Sequence, residues 1–128
     1  NPPPNNRIDR GIFYMITVYG LKNCDTCRKA LKWLIAEELN HRFHDVRADG
    51  LDGPELDRWL AGTGWETLLN RRGTTWRKLP DAETTDVNAT KARALMLEHP
   101  ALIKRPVFEV GSDVIVGFKA EQQAALKG

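Results

Sequence analysis

The chain has two cysteines, Cys24 and Cys27, in the arrangement Cys-Asp-Thr-Cys. Thiols at this spacing can attack as thiolates, exchange with a disulfide or bind a metal, and their surroundings decide which. Here a β-branched and aromatic run, Ile16-Thr17-Val18-Tyr19, precedes them and Gly20 breaks it. An apolar period of helical type follows from Asp25, so the cysteines fall where a strand hands over to a helix. Unpaired N–H groups and the positive dipole end at a helix start favour thiolate over thiol, lowering a cysteine pKa to roughly 3.5–7.5. Arg28, four residues after Cys24, adds positive charge nearby. A nucleophilic sulfur at Cys24 is the leading expectation, because Cys27 lies a turn further into the helix.

The elements that must hold these thiols can be read along the chain. The helix after Asp25 presents Ala30, Leu31, Leu34, Ile35 and Leu39 as one apolar face and is expected to stop at Asn40. His41–Val46 reads as a second strand, making a β-α-β unit for which parallel pairing and a right-handed crossover are expected. Residues 49–104 read as a helical insert. Pro54 opens a helix that Gly62-Thr63-Gly64 ends, Trp65–Leu69 forms a short helix, and residues 70–79 form a loop with four cations. A third insert helix runs from about Asn88 to Glu98, closed by Pro100. Pro106–Val110 and Val114–Val116 return as a hairpin across Gly111-Ser112-Asp113, and a last helix covers Ala120 to Leu126.

Composition narrows the classes. The length suits a single domain with its own core, and a net charge of +2 with no block of like charges gives no argument for nucleic acid. No apolar run approaches the roughly 18 residues of a membrane span, and no signal-peptide pattern is seen, so a cytoplasmic protein without membrane contact is expected. Residues 1–14 hold three consecutive prolines and no periodic pattern. They are expected to be a disordered tail or vector remnant, with Met15 as a native initiator and 15–128 as the domain.

Three readings of the cysteine pair compete. Strand, turn and C-x-x-C at a helix start match the redox-motif context of a thioredoxin-like fold. A zinc site would draw on His41 and His44, but residues three apart on a strand point to opposite faces, and no metal set is expected. Inert structural cysteines are the third. Arg105-Pro106 is either a plain strand start or a cis-proline whose preceding arginine presents a planar fork to an anion beside Cys24. Arg71, Arg72, Arg77 and Lys78 form a solvated loop or, with Gly73 and Thr74-Thr75, a fixed one that places Arg72 in a site. The histidines are read as surface or strand-packing residues, and Trp33, Trp59, Trp65 and Trp76 as packing groups.

The stretches VYGLKNCDTCRKALKWL, RFHDVRADGL, GWETLLNRRGTTWRKL, ALMLEHPALIKRPV and VGF resemble the arsenate reductase-like family that includes Spx regulators, most closely its YffB-type branch. The resemblance implies a thioredoxin-like α/β fold, β-α-β then β-β-α, interrupted by a helical insert. It implies that Cys24 is the nucleophile, that Arg105 precedes a cis-Pro106, and that Arg72 is the insert arginine. Where arsenate reductases proper carry a late arginine, this chain has Phe118 followed by Lys119, and Cys27 instead resembles the Spx switch. The expected activity is therefore thiol–disulfide exchange linked to glutathione or a glutaredoxin-type reductant, acting on a small-molecule or protein disulfide. Cys24, Cys27 and Arg105 would be catalytic, and Arg72, Pro106, Arg28 and Lys119 would bind substrate. Glutathione would be a co-substrate, with no cofactor bound. The alternatives are a glutaredoxin-dependent arsenate reductase and a Spx-like regulator that binds RNA polymerase.

Overall fold

A computed structural model describes residues 15–128, so the expectations for 1–14 lie outside the described residues. These residues fall into two compact units: the chain up to Asp49 with Arg105–Gly128, and Gly50–Lys104.

The first unit is built on a four-stranded sheet. Its strands are β1 (Ile16–Gly20), β2 (His41–Asp45), β3 (Val107–Val110) and β4 (Asp113–Val116), in the spatial order β2-β1-β3-β4. β1 pairs parallel to β2, Ile16 opposite His41 through Gly20 opposite Asp45, and antiparallel to β3. β3 and β4 make the antiparallel hairpin. With a neighbour on each side, β1 is buried at every position, which its β-branched and aromatic residues suit. Helix α1 (Asp25–Ala36) buries Cys27, Ala30 and Leu34, spaced three and four apart. Ala30 and Leu34 join Ile16, Val18, Leu39, Phe108, Val110 and Leu126 in the core, Leu126 coming from helix α7 (Ala120–Lys127).

Two details of α1 differ from the expectation. Ile35 lies 67% exposed, because the buried stripe passes through Leu34 and turns Ile35 outward. The helix also ends at Ala36, short of Asn40. There the Glu38 N–H donates to the Ile35 carbonyl and the Leu39 N–H to the Leu34 carbonyl, with Glu38 at φ 57°. This pair of bonds is the Schellman closure, and it returns Leu39 to the core beside Leu34. Glycine usually takes the left-handed position, so a glutamate there gave no stop signal.

The second unit is helical. α2 (Gly53–Thr63) starts with a capping box, in which Asp52 accepts the Glu55 N–H at 2.8 Å and Glu55 accepts the Asp52 N–H. α3 (Trp65–Leu68) follows Gly64, whose φ of 85° suits only glycine readily. The expected loop at 70–79 contains a helical turn, α4 (Thr74–Arg77), and a second turn follows it, α5 (Asp81–Thr84), where no element is expected. Neither turn buries a residue, so neither carries an apolar period. α6 (Ala89–Glu98) is capped by Asn88 and leads through a 3-10 turn (Pro100–Leu102) to a bridge between Ile103 and Leu69. Leu56, Trp59, Leu68, Ala92, Met96 and Leu102 form its interior. Among the described residues no helix is long and apolar enough to cross a membrane.

Candidate active site

The loop between β1 and α1 leads to the cysteine pair, and a carboxylate on the neighbouring strand holds it. Asp45, buried at the end of β2, accepts the Lys22 N–H at 2.9 Å on one oxygen. Its other oxygen accepts the Arg47 and Ala48 N–H groups at 2.8 and 2.9 Å. The Ala48 amide does most to hold the Asp45 carboxyl below its ordinary value, with the Lys22 and Arg47 amides and the Lys22 charge adding to it against burial. Asp45 was not among the expected site residues, although an aspartate ending a strand before Val-Arg-Ala-Asp is the pattern of an Asx-type turn. Arg28 serves the same loop. Its guanidinium donates to the Lys22 carbonyl at 3.0 Å and to the Asp25 carboxylate.

Cys24 occupies the N-cap of α1, its carbonyl accepting the first helical bond from Arg28 at 3.0 Å. Its half-buried sulfur closes no regular cap bond, yet it faces the Cys27 N–H, the Cys27 thiol and the Arg105 guanidinium. Burial is the largest single influence and opposes ionisation. The amide, thiol and guanidinium together outweigh it and hold Cys24 below its ordinary value. Cys27 is the opposite case. It is 1% exposed, and burial, with the neighbouring Cys24, pushes its thiol up to about 12 against the Leu21 N–H and Arg105. A proton shared between the two sulfurs therefore resides on Cys27.

Arg105 is half-buried, and its bond to Pro106 is cis. The Pro106 carbonyl accepts the Gly117 N–H at 2.9 Å, tying this segment to the end of β4. Cys24, Cys27 and Arg105 thus come together. Lys119 stands exposed at the N-cap of α7, its backbone N–H donating to Gln122 Oε1. Phe118 packs edge-on against Trp33 at 5.5 Å and lies 6.3 Å from Phe108. It is a half-buried aromatic packed against the core. Within the helical unit, Arg72 lines a cleft of about 280 Å³ with Glu66, Asn70, Arg71 and Lys104. Asn70 accepts the Arg72 N–H at 3.0 Å, the Arg77 guanidinium donates to the Arg72 carbonyl at 2.8 Å, and Arg71 lies over the Trp65 ring. The loop is thus held at the Arg72 backbone and by the Arg71 and Arg77 side chains. His41 Nδ1 donates to the Leu39 carbonyl at 2.8 Å, and the His44 ring packs on Tyr19.

The sequence profile of the ArsC family matches residues 19–126, from the end of β1 into α7. The chain belongs to the ArsC family. A solved structure of a YFFB protein is 47% identical, covering 88% of this chain and 99% of that one with a TM-score of 0.83. An arsenate reductase (ArsC) related protein from Brucella melitensis is 49% identical, covering 87% and 92%, with a TM-score of 0.72. The global transcriptional regulator Spx of Streptococcus pyogenes is 26% identical over 84% of this chain and 81% of its own. This ArsC-family chain therefore has a thioredoxin-like, thiol-based redox fold related to arsenate reductases and to Spx. At that coarse level it is a thiol oxidoreductase fold.

Proposed function

We propose that this ArsC-family protein is a glutathione-linked thiol–disulfide oxidoreductase with Cys24 as its nucleophile. The observation that carries this reading is the contrast within the pair: a half-exposed Cys24 held below its ordinary value by the Cys27 amide and thiol and Arg105, and a buried Cys27 pushed up to about 12. The Cys24 thiolate attacks one sulfur of a disulfide RS–SR′, forming Cys24–S–SR while R′S⁻ leaves and takes a proton. Uncharged in the mixed disulfide, Cys24 no longer opposes ionisation of Cys27. Cys27 then gives up its proton and attacks Cys24 Sγ, expelling RS⁻ and closing an internal disulfide. Two glutathione thiols reduce that bond and leave as glutathione disulfide. The net reaction converts one disulfide and two glutathione into two thiols and glutathione disulfide.

Arg105 stabilises the thiolate, and Arg72 in its basic cleft is the cation proposed to take a peptide carboxylate. Arg28 contributes by fixing the loop. Arsenate fits less well, since a multiply charged oxyanion beside a thiolate needs converging arginine forks and Phe118 packs against the core. Turnover of a small dialkyl disulfide by glutathione should be measurable and should vanish in Cys24→Ser. Arsenate turnover at a comparable rate would reverse the ranking. The Spx relative motivates a second reading, in which the pair senses oxidation for a regulator. Capture of RNA polymerase without disulfide turnover would select it.

A further inference from the structure

Gly20 ends β1 one residue before the active-site loop, and its backbone does not explain why it is a glycine. Its φ lies outside the left-handed range, and its carbonyl accepts the Val46 N–H at 2.9 Å as a strand residue of any type could. The reason is space. A Cβ at this position would overlap Cys27 Sγ, stand 3.4 Å from Cys27 Cβ and 3.5 Å from Phe43 Cε1. Cys27 cannot withdraw outward, because it lies on the buried stripe of α1 with Ala30 and Leu34. Its sulfur is received by two consecutive residues: Gly20 leaves the room, and the Leu21 N–H donates to it.

We propose that Gly20 is a positioning residue for the cysteine pair, its missing side chain being the slot that seats the Cys27 sulfur so that the Cys27 S–H points at Cys24. This rests on the reading of Cys24 as the nucleophile and adds the part that holds its hydrogen-bond donor. In a helix the χ1 of about +60° is disfavoured, so a side chain at position 20 would drive Cys27 into one alternative rotamer. That movement takes the donor away from Cys24. The effect of Gly20 on Cys24 therefore runs wholly through the Cys27 sulfur and should disappear when that sulfur is absent.

The test is a double-mutant cycle of Gly20→Ala and Cys27→Ala, read by the pH profile of Cys24 alkylation and by thermal unfolding. In the wild type, Cys24 should titrate below a free cysteine. Gly20→Ala should move the profile up, so that Cys24 is alkylated about three- to tenfold more slowly at neutral pH, and Cys27→Ala should do the same. The double variant should shift no further than Cys27→Ala alone, and adding Gly20→Ala to Cys27→Ala should cost less stability than adding it to the wild type. Additive shifts, or a Gly20→Ala profile identical to wild type while Cys27→Ala moves, would overturn the proposal. Should Gly20→Ala not fold, folding of the double variant supports the slot and its failure to fold refutes it. A wild-type Cys24 that titrates like free cysteine sinks the oxidoreductase reading instead, while the stability cycle still reports on Gly20.

Discussion

At the scale of single residues, the site is a contest between burial and hydrogen bonding at sulfur. Cys24 gains more from its donors than it loses to burial, and Arg105 is the donor that also brings charge. Arg105→Ala should therefore raise the Cys24 pKa and slow disulfide turnover at neutral pH about tenfold. The sign follows from the thiolate being the reactive form: activity rises as pH passes the lowered Cys24 value, and the variant's rise should lie at higher pH. Arg105→Lys keeps the charge without the fork and should fall between the two; a profile equal to wild type in Arg105→Ala would remove Arg105 from the mechanism. Asp45 works by the same chemistry on oxygen. Replacing it with asparagine weakens its bonds to the Lys22, Arg47 and Ala48 amides and should cost about 1–3 kcal/mol in urea unfolding. Because its folded pKa is lowered, its contribution is complete above the unfolded carboxylate value of about 3.9 and is lost as pH falls through the folded value. The wild type and Asp45→Asn should thus converge in stability at acid pH.

At the scale of elements, the sequence was most legible where one physical signal acted alone. β1 and the β3–β4 hairpin are legible from β-branched runs and the Gly-Ser-Asp turn, α2 from Pro54, its apolar residues and the closing glycines, and α6 from its inward residues and Pro100. The cysteine pair at a helix start was legible for the same reason. Cys24 and Arg105 lie 81 positions apart in the chain (105 − 24), so no local pattern could show their meeting; it is one of two readings of the proline at a strand start in a thioredoxin-like order, and the resemblance implies the same. α4 and α5 were missed because single exposed turns have no period to detect, and Asp45 because its role lies in the amides that it accepts. Glu38 hid the end of α1 in a different way, by standing in a conformation that L-residues avoid. That cost can be recovered. Glu38→Gly should stabilise the protein by about 0.5–1 kcal/mol, read as a higher urea midpoint with an unchanged slope. A loss of stability would mean that the closure does not strain the chain.

At the scale of the molecule, the unit that bears the cysteines is discontinuous. Its first part ends at Asp49 and its second begins at Arg105, with the helical unit threaded between them. β1 has only β2 beside it until β3 arrives, and β3 is the strand that covers its other edge. A chain ended at Lys104 should therefore show no cooperative unfolding of the sheet unit and a Cys24 that titrates near the free-cysteine value of about 8.5. A lowered Cys24 pKa in that fragment would show that the helix start suffices without Arg105.

The same discontinuity has a meaning for biosynthesis. A chain emerges from the ribosome at about 5–20 residues per second, N-terminus first, so Cys24 is outside for several seconds before Arg105 is even made. During that interval the thiol lacks its guanidinium and the central strand lacks its second partner. Until then the sulfur has only the donors of its own helix start, the Cys27 N–H and thiol. The guanidinium can reach the sulfur only once Arg105 and the strand after it have joined the sheet, so the full set of donors at Cys24 is the last part of the sheet unit to be assembled.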